Sequence, residues 1–417
     1  MRRSSGCNDQ VWRHLTDDAG LEKAKLSVQS ANSSESTSWQ VAVIGAGPAG
    51  SAAAWACASL GLRTLVVEKA EFPRPKVCGC CVSPSGMASL KTMGIDRAVR
   101  QRGAPIHFFS LAARNRTLRI DLARHGVAIG REDFDAMLLE HARDRGAAAR
   151  MGEGATLEGG AAGACRLTLT GPRGAVSLTA DVVIVADGLA GSFLPRTEEW
   201  NPRIANTSHF GVGARIRDGG AERLCSEAEI AMRCGKAGYF GAVRLRDGSI
   251  DIAAALSPQV TRRSGGPAAA VCEIARECGL DECVAPLANA PWRGTGLLTR
   301  RRRVEGQRLF VVGDAAGYVE PFTGEGISWA MQAGLAVAPF ARAVVAGEYR
   351  TGAWTQAWHR TANSRRAACR VTSRALRSPA IVAATVSVAN KVPSVRDYLA
   401  SAISGPWHLS APESVAV

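Results

Sequence analysis

The strongest constraint on this chain lies in residues 41–69, which read VAVIGAGPAGSAAAWACASLGLRTLVVEK. An apolar run, Val41 to Ile44, ends in Gly45, Gly47 and Gly50, a G-x-G-x-x-G. An alanine-rich segment follows, then a second apolar run from Thr64 to Val67, closed by Glu68. A strand, a glycine turn, a helix and a second strand in that order make a dinucleotide fingerprint rather than a chance glycine pattern. Gly45 permits the tight turn, Gly47 lets the backbone approach a pyrophosphate, and Gly50 lets helix and strand pack closely. The helix N-terminus offers unpaired N–H groups and partial positive charge to phosphates. Glu68 stands where a carboxylate takes the hydroxyls of an adenosine ribose.

A second stretch, Leu309 to Gly334, reads LFVVGDAAGYVEPFTGEGISWAMQAG. A strand is expected to end at Gly313-Asp314, and a loop with Pro321 and Gly324-Glu325-Gly326 leads into a helix from about Ile327. An acid at a strand end bonds a polyol hydroxyl, and a glycine-framed helix N-terminus stabilises negative charge. Between the two stretches, Gly130 to Gly146 reads as a helix with Glu132 and Asp133 in its first turn. Arg131 before that turn opposes the helix dipole, so an anionic partner such as a phosphate competes with a solvated arginine. Asp187-Gly188 ends an apolar strand, a common place for ligand contacts and also for ordinary turns.

The remaining segments set the architecture. His107–Ala112 with Thr117–Leu122, and Arg166–Thr170 with Ala175–Thr179, alternate like strand pairs, and Asn206 to Leu256 alternates throughout. Residues 267–278 have helical spacing. The expected fold is α/β: a Rossmann-like domain (39–104, 125–200 and 300–345), an antiparallel-sheet substrate domain (105–124 and 201–299) and a C-terminal helical region (346–417). Residues 1–38 are polar and serine-rich, expected as a disordered extension without the apolar core of a secretory leader.

Composition adds limits. The net charge is +14, carried mostly by arginine, and seven of these arginines fall between Tyr349 and Ser378. That tail is expected either to lie on an anionic membrane or to cover the Rossmann-like domain as a solvated helix. Arg300 to Arg303 is expected in a connecting loop, and nothing points to nucleic acid. No apolar run approaches the roughly 20 residues that span a bilayer. The 12 cysteines show no framework spacing, so a reducing cytoplasm is expected. Cys78, Cys80 and Cys81 crowd one loop, but C-x-C-C lacks zinc spacing and no metal is expected. Cys272, Cys278 and Cys283 do not share a helical face.

Together, GAGPAG with VVEK, FPRPKVCG, REDFD, ADG and GDAAGYVEPFTGEGISWAMQAG resemble FAD-dependent oxidoreductases of the geranylgeranyl reductase type, within the fold group of flavin aromatic hydroxylases. The resemblance spans roughly Gln40 to Leu335. It implies FAD, with Gly45, Gly47, Gly50, Glu68 and Lys69 on the ADP half. Arg131, Asp187, Gly188, Gly313 and Asp314 would follow along the phosphates and ribityl chain, and Gly324 and Gly326 would lie beside the ring. Cys78 matches the family cysteine near the flavin. The aromatic Y-x-W-x-F-P element of those reductases survives only as Tyr239 in GYFGAVRL, and the W-x-W-x-I-P of halogenases is missing.

The reaction this implies is reduction of carbon–carbon double bonds in a small hydrophobic isoprenoid- or polyketide-like molecule, with hydride from reduced flavin. Cys78 and Tyr239 are the candidate proton donors. A flavin monooxygenase is the alternative, with a halogenase or an electron-transfer flavoprotein behind it. No second fingerprint follows Gly50, so electrons are expected from transiently docked NAD(P)H or from a protein donor.

Overall fold

In the computed structural model of the chain, the described residues are 37–161, 163–172, 174–217, 220–320 and 324–404. The N-terminal extension, the tip of the Asp218-Gly219 turn, Pro321 and the last residues of the tail lie outside them.

The fingerprint strand, Ser38–Ile44, lies inside a parallel sheet between Thr64–Glu68 and Gly174–Val185, with Ala148–Met151 and Leu309–Val311 beyond them. Parallel strands covered on both faces need unbroken apolar sequence, and Val41, Val43 and Val182 to Val185 are fully buried. Gly174–Val185 is one 12-residue strand, where the sequence reading divides it into a hairpin arm and a separate buried strand. Its first half pairs with Ala164–Gly171 and its second half enters the core sheet, so one strand carries both patterns.

Two helices pack face to face under this sheet. Pro48–Ser59 is nearly all small residues, and Gly326–Ala346 approaches it so closely that a Cβ on Gly334 would lie 2.2 Å from the Ala49 carbonyl oxygen. The second helix corrects one expectation. It has 21 residues and is long and apolar enough to cross a membrane, although the sequence reading finds no such run. Its place against Pro48–Ser59 makes it a core helix, with 61% of its most apolar window buried.

The second sheet runs in the order Arg293–Leu297, Phe210–Ile216, Ile250–Leu256, Gly238–Arg244, Glu229–Gly235, Ala104–Ala113, Arg116–Ala128 and Cys81–Val82. It is antiparallel except where Glu229–Gly235 meets Ala104–Ala113. One face packs on the helix Pro267–Glu277, and Cys272 and Cys283 are apolar members of that core. Three placements differ from the sequence reading. Cys81–Val82, expected with the Rossmann-like domain, pairs with the end of Arg116–Ala128, which itself runs past residue 124. Arg300–Arg301 is a strand rather than a loop, held between Arg203–Ile204 and Gly317–Tyr318.

The tail covers both domains. Glu305 accepts from Thr355 N at 2.8 Å at the start of the helix Ala353–Leu376, where a carboxylate also suits the helix dipole. Trp354 and Trp358 then pack with Phe310 and Phe340 in the parallel-sheet core. The helix Pro379–Lys391 instead presses Val382, Ala383, Val386 and Ala389 onto the second sheet. A cover for the Rossmann-like domain alone therefore accounts for only the first part of the tail. The side chains of Arg365, Arg366 and Arg370 lie outside the described ones.

Candidate active site

A cavity of about 620 Å³ runs between the two sheets. Its wall includes Gly45, Gly47, Glu68 and Lys69 of the fingerprint unit, Lys76, Cys78, Arg131, Asp187, Gly188 and Asp314, and also Tyr239, Gly324 and Gly326. The sequence reading thus brings twelve of its fourteen residues to one cavity. Gly50 and Gly313 are absent from the wall and serve packing instead. A Cβ on Gly50 would sit 1.7 Å from the Gly45 carbonyl oxygen, and one on Gly313 would sit 2.7 Å from Ala49 Cβ.

The fingerprint end is shaped for a dinucleotide. Gly45 has φ +102°, where only glycine rests without strain. A Cβ on Gly47 would meet only an Arg131 nitrogen, at 3.8 Å, so the space above it is open. The helix Pro48–Ser59 has no side-chain cap, which leaves its N-terminus to a ligand. Glu68 accepts from Ala46 N at 2.9 Å and Ala70 N at 3.1 Å, which fixes its carboxylate at the cavity edge.

A second group of wall residues is the charged part. Arg131 is the first residue of the helix Arg131–Asp144, and its partner belongs to the chain: Nε and an Nη donate to the two oxygens of Asp135, each at 2.8 Å. The guanidinium is therefore buried and held rigid rather than solvated, and it still faces the cavity. Arg74 bridges Glu68 at 3.4 Å and Asp135 at 3.6 Å. Lys76 is exposed by accessible surface, yet it stands in the cavity wall, where desolvation and then the Arg131 and Arg74 charges lower its ammonium. Burial raises the Asp314 carboxyl against the pull of Lys76, Arg131 and Arg300. Asp187 is raised by burial too, and its Oδ1 has no partner among the described residues. Cations facing an open glycine turn, with a buried carboxylate oxygen left over, fit a pyrophosphate and a polyol chain. The residues present therefore fit FAD. Sequence reasoning missed Arg74 and Lys76, whose signal was only the basic spacing in PRPK.

The cysteine loop joins the charged part to the apolar part. Cys80 N donates to the Cys78 sulfur at 3.4 Å. The Cys78 thiol is held below its ordinary value, chiefly by a hydrogen bond from the Cys80 side chain and then by Arg131, which together outweigh burial. Burial pushes Cys81 far up. Cys78 is therefore expected to ionise more readily than an ordinary thiol, and its alkylation by iodoacetamide to rise with a midpoint below the ordinary value. Peptide mass mapping across pH checks this, and a midpoint at the ordinary thiol value of about 8.5 would refute it.

Beyond the loop the walls become apolar, with Val212, Ile230, Met232, Val243, Ala255 and Leu298 on the second sheet. At their edge sits a polar cluster that no motif announces. Tyr239 Oη donates to Glu320 Oε2 at 3.3 Å, Thr299 Oγ1 and Arg377 donate to Oε1 at 3.4 and 3.1 Å, and His209 Nδ1 lies 3.8 Å from Oε2. Burial raises Glu320 and Tyr239, and burial with the Arg377 charge lowers His209 to about 4. Glu325, named with the flanking glycines, turns away and accepts from Ser85 Oγ at 2.7 Å. No group of three or more metal-ligating side chains occurs among the described residues.

Comparison with known proteins follows this geometry. The family described as FAD binding domain matches residues 38–200. Menaquinone reductase of Mycobacterium tuberculosis is 29% identical over 319 residues, covering 70% of this chain and 74% of its own. Digeranylgeranylglycerophospholipid reductase 2 of Methanopyrus kandleri is 28% identical over 310 residues, covering 71% and 75%. Among solved structures a flavin-dependent brominase superposes with a TM-score of 0.75 at 18% identity, over 90% of this chain and 97% of its own, which establishes shared fold.

Proposed function

We propose, from the premise that this chain is an FAD-dependent oxidoreductase resembling the geranylgeranyl reductase type, that it saturates carbon–carbon double bonds of an isoprenoid- or polyketide-like substrate. The observation that carries this reading is the continuity of the cavity: a charged, glycine-framed half opens directly onto an apolar wall with few polar groups. An extended apolar molecule would lie along Ile230, Met232, Val243 and Leu298, where water is excluded. The reductase names of the sequence relatives support the same direction.

Bound FAD in its reduced state would supply the hydride, and the chain must hold it and supply the proton. Gly45, Gly47 and the helix N-terminus would take the pyrophosphate with Arg131 and Lys76 near, and Glu68 and Asp314 would take ribose and polyol hydroxyls. Gly324 and Gly326 would give the ring close backbone approach. Of the two candidate donors, Cys78 gives up its proton more readily than an ordinary thiol, whereas Tyr239 keeps its proton and is fixed by Glu320. Tyr239 is therefore the donor to the second carbon, and Cys78 orients charge beside Arg131. Electrons would come from transiently docked NAD(P)H or a protein partner.

The test is anaerobic: chemically reduce the FAD-loaded protein, add polyunsaturated prenyl or polyketide compounds, and follow flavin reoxidation with product mass. Gain of two hydrogens, slowed about 10²–10⁴-fold in Tyr239→Phe, is the expected result. Reoxidation only with oxygen, with one oxygen atom gained, would replace this reading with a monooxygenase.

A further inference from the structure

Four of the five exposed large hydrophobics among the described residues fall in one helical hairpin, Pro379–Lys391 and Pro393–Ser404: Ile381 at 52% exposure, Val388 at 47%, Val392 at 40% and Tyr398 at 73%. The first helix is apolar on two sides. Val382, Ala383, Val386 and Ala389 point into the second sheet, while Ile381, Ala384 and Val388 make an outward stripe at helical spacing that Val392 continues. A helix with a second apolar face in solvent, beside the one it buries, is suited to a second cover.

Charge indicates what that cover is. Arg374, Lys391 and Arg396 are exposed around the stripe. Between Glu348 and Asp397 the sequence holds no acid, and Asp397 is the hairpin's single one. The turn between Ala104–Ala113 and Arg116–Ala128 adds exposed Arg114 and Arg116 next to the hairpin, since Arg116 bonds Ser387 and Asn390 Nδ2 donates to the Thr117 carbonyl at 3.0 Å. An apolar ridge ringed by cations matches the interface of an anionic bilayer, where aliphatic side chains enter the acyl boundary and arginine and lysine meet headgroups. The inward residues Val382 and Val386 share a core with Ile230, Met232 and Tyr239 of the cavity wall. The helix that carries the ridge therefore packs into a core that includes side chains of the cavity wall.

We infer that the hairpin 379–404 docks the protein on the surface of an anionic membrane, with Ile381, Val388 and Val392 inserted. The inference concerns binding alone, so it is tested without substrate and stands or falls apart from the proposed reaction. Full-length, FAD-loaded protein is sedimented with vesicles of phosphatidylcholine, with and without phosphatidylglycerol. Binding is expected only to the anionic vesicles, weakening as salt rises. Ile381→Asp with Val388→Asp should lower partitioning at least about tenfold, and Lys391→Glu about fivefold. Circular dichroism and flavin content verify that both variants are folded, and Lys391→Glu, fully at the surface, serves if the double variant is not. No pelleting at low salt, or unchanged pelleting of the folded variants, would overturn the inference. So would a dimer in sedimentation velocity that the double variant dissociates without any vesicle binding, because the ridge would then belong to a second copy of the chain.

Discussion

Gly50→Val is expected to yield protein that takes up no FAD and has lost about 3 kcal/mol or more of stability. The new Cβ would lie 1.7 Å from the Gly45 carbonyl oxygen and 2.9 Å from its carbon, and both are backbone atoms of the fingerprint turn. No rotamer relieves that contact. The helix Pro48–Ser59 must move off the strand Ser38–Ile44, and its other side is already pressed against Gly334. Gly47→Ala supplies the contrast. Its Cβ meets nothing nearer than 3.8 Å, so the fold should persist with a near-native melting temperature while FAD affinity falls. Thermal unfolding and flavin titration of the two variants separate packing from binding. Normal FAD binding by Gly50→Val would contradict the geometry described for the fingerprint.

The second large effect is expected at Glu320. Glu320→Ala removes the common acceptor of Tyr239, Thr299 and Arg377, leaving donors that face a buried space. Removing one partner of a buried ion pair costs about 3–5 kcal/mol, and the partial exposure of Arg377 places the expected loss near the lower figure. Glu320→Gln keeps an acceptor and should cost much less, because burial already raises the carboxyl and disfavours its charge. The same cluster gives a pH signature. His209 has a folded value near 4, below its unfolded value, so the unfolded state binds more protons between the two. Stability should therefore rise with pH from about 4 to about 6.5, and His209→Gln should flatten that slope. Denaturant titrations across this range check both statements.

How far the sequence foretold these sites depends on whether the information was local. The fingerprint, the helix at Arg131 and the strand Leu309–Val311, which ends short of Asp314 and leads through a short 3-10 turn to it, each need only neighbours within one supersecondary unit, and their residues meet in one cavity. The polar cluster was not legible because its members stand far apart: His209, Tyr239, Glu320 and Arg377 come from different elements and share no spacing. Arg131 was ambiguous because the signal that fixes it, Asp135 one turn later, looked like an ordinary helical acid. Arg300 and Arg301 read as a loop from sequence because a two-residue strand has no period to detect. The helix Gly326–Ala346 does not read as one long apolar segment because Ser328, Gln332, Gly334, Pro339 and Arg342 interrupt the run without breaking the helix.

The central sheet has a consequence for the order in which the protein can be made. Its strands come from the start of the chain, the middle and, with Leu309–Val311, a point near the end. The partner of the fingerprint helix, Gly326–Ala346, emerges later still. A ribosome delivers the chain in sequence, so the glycine turn must wait through the whole second domain before its own floor and far wall exist. The nascent fingerprint has a nucleotide-binding outline but no finished pocket. Cofactor capture therefore waits for the last third of the chain, and the second domain has the chance to fold first.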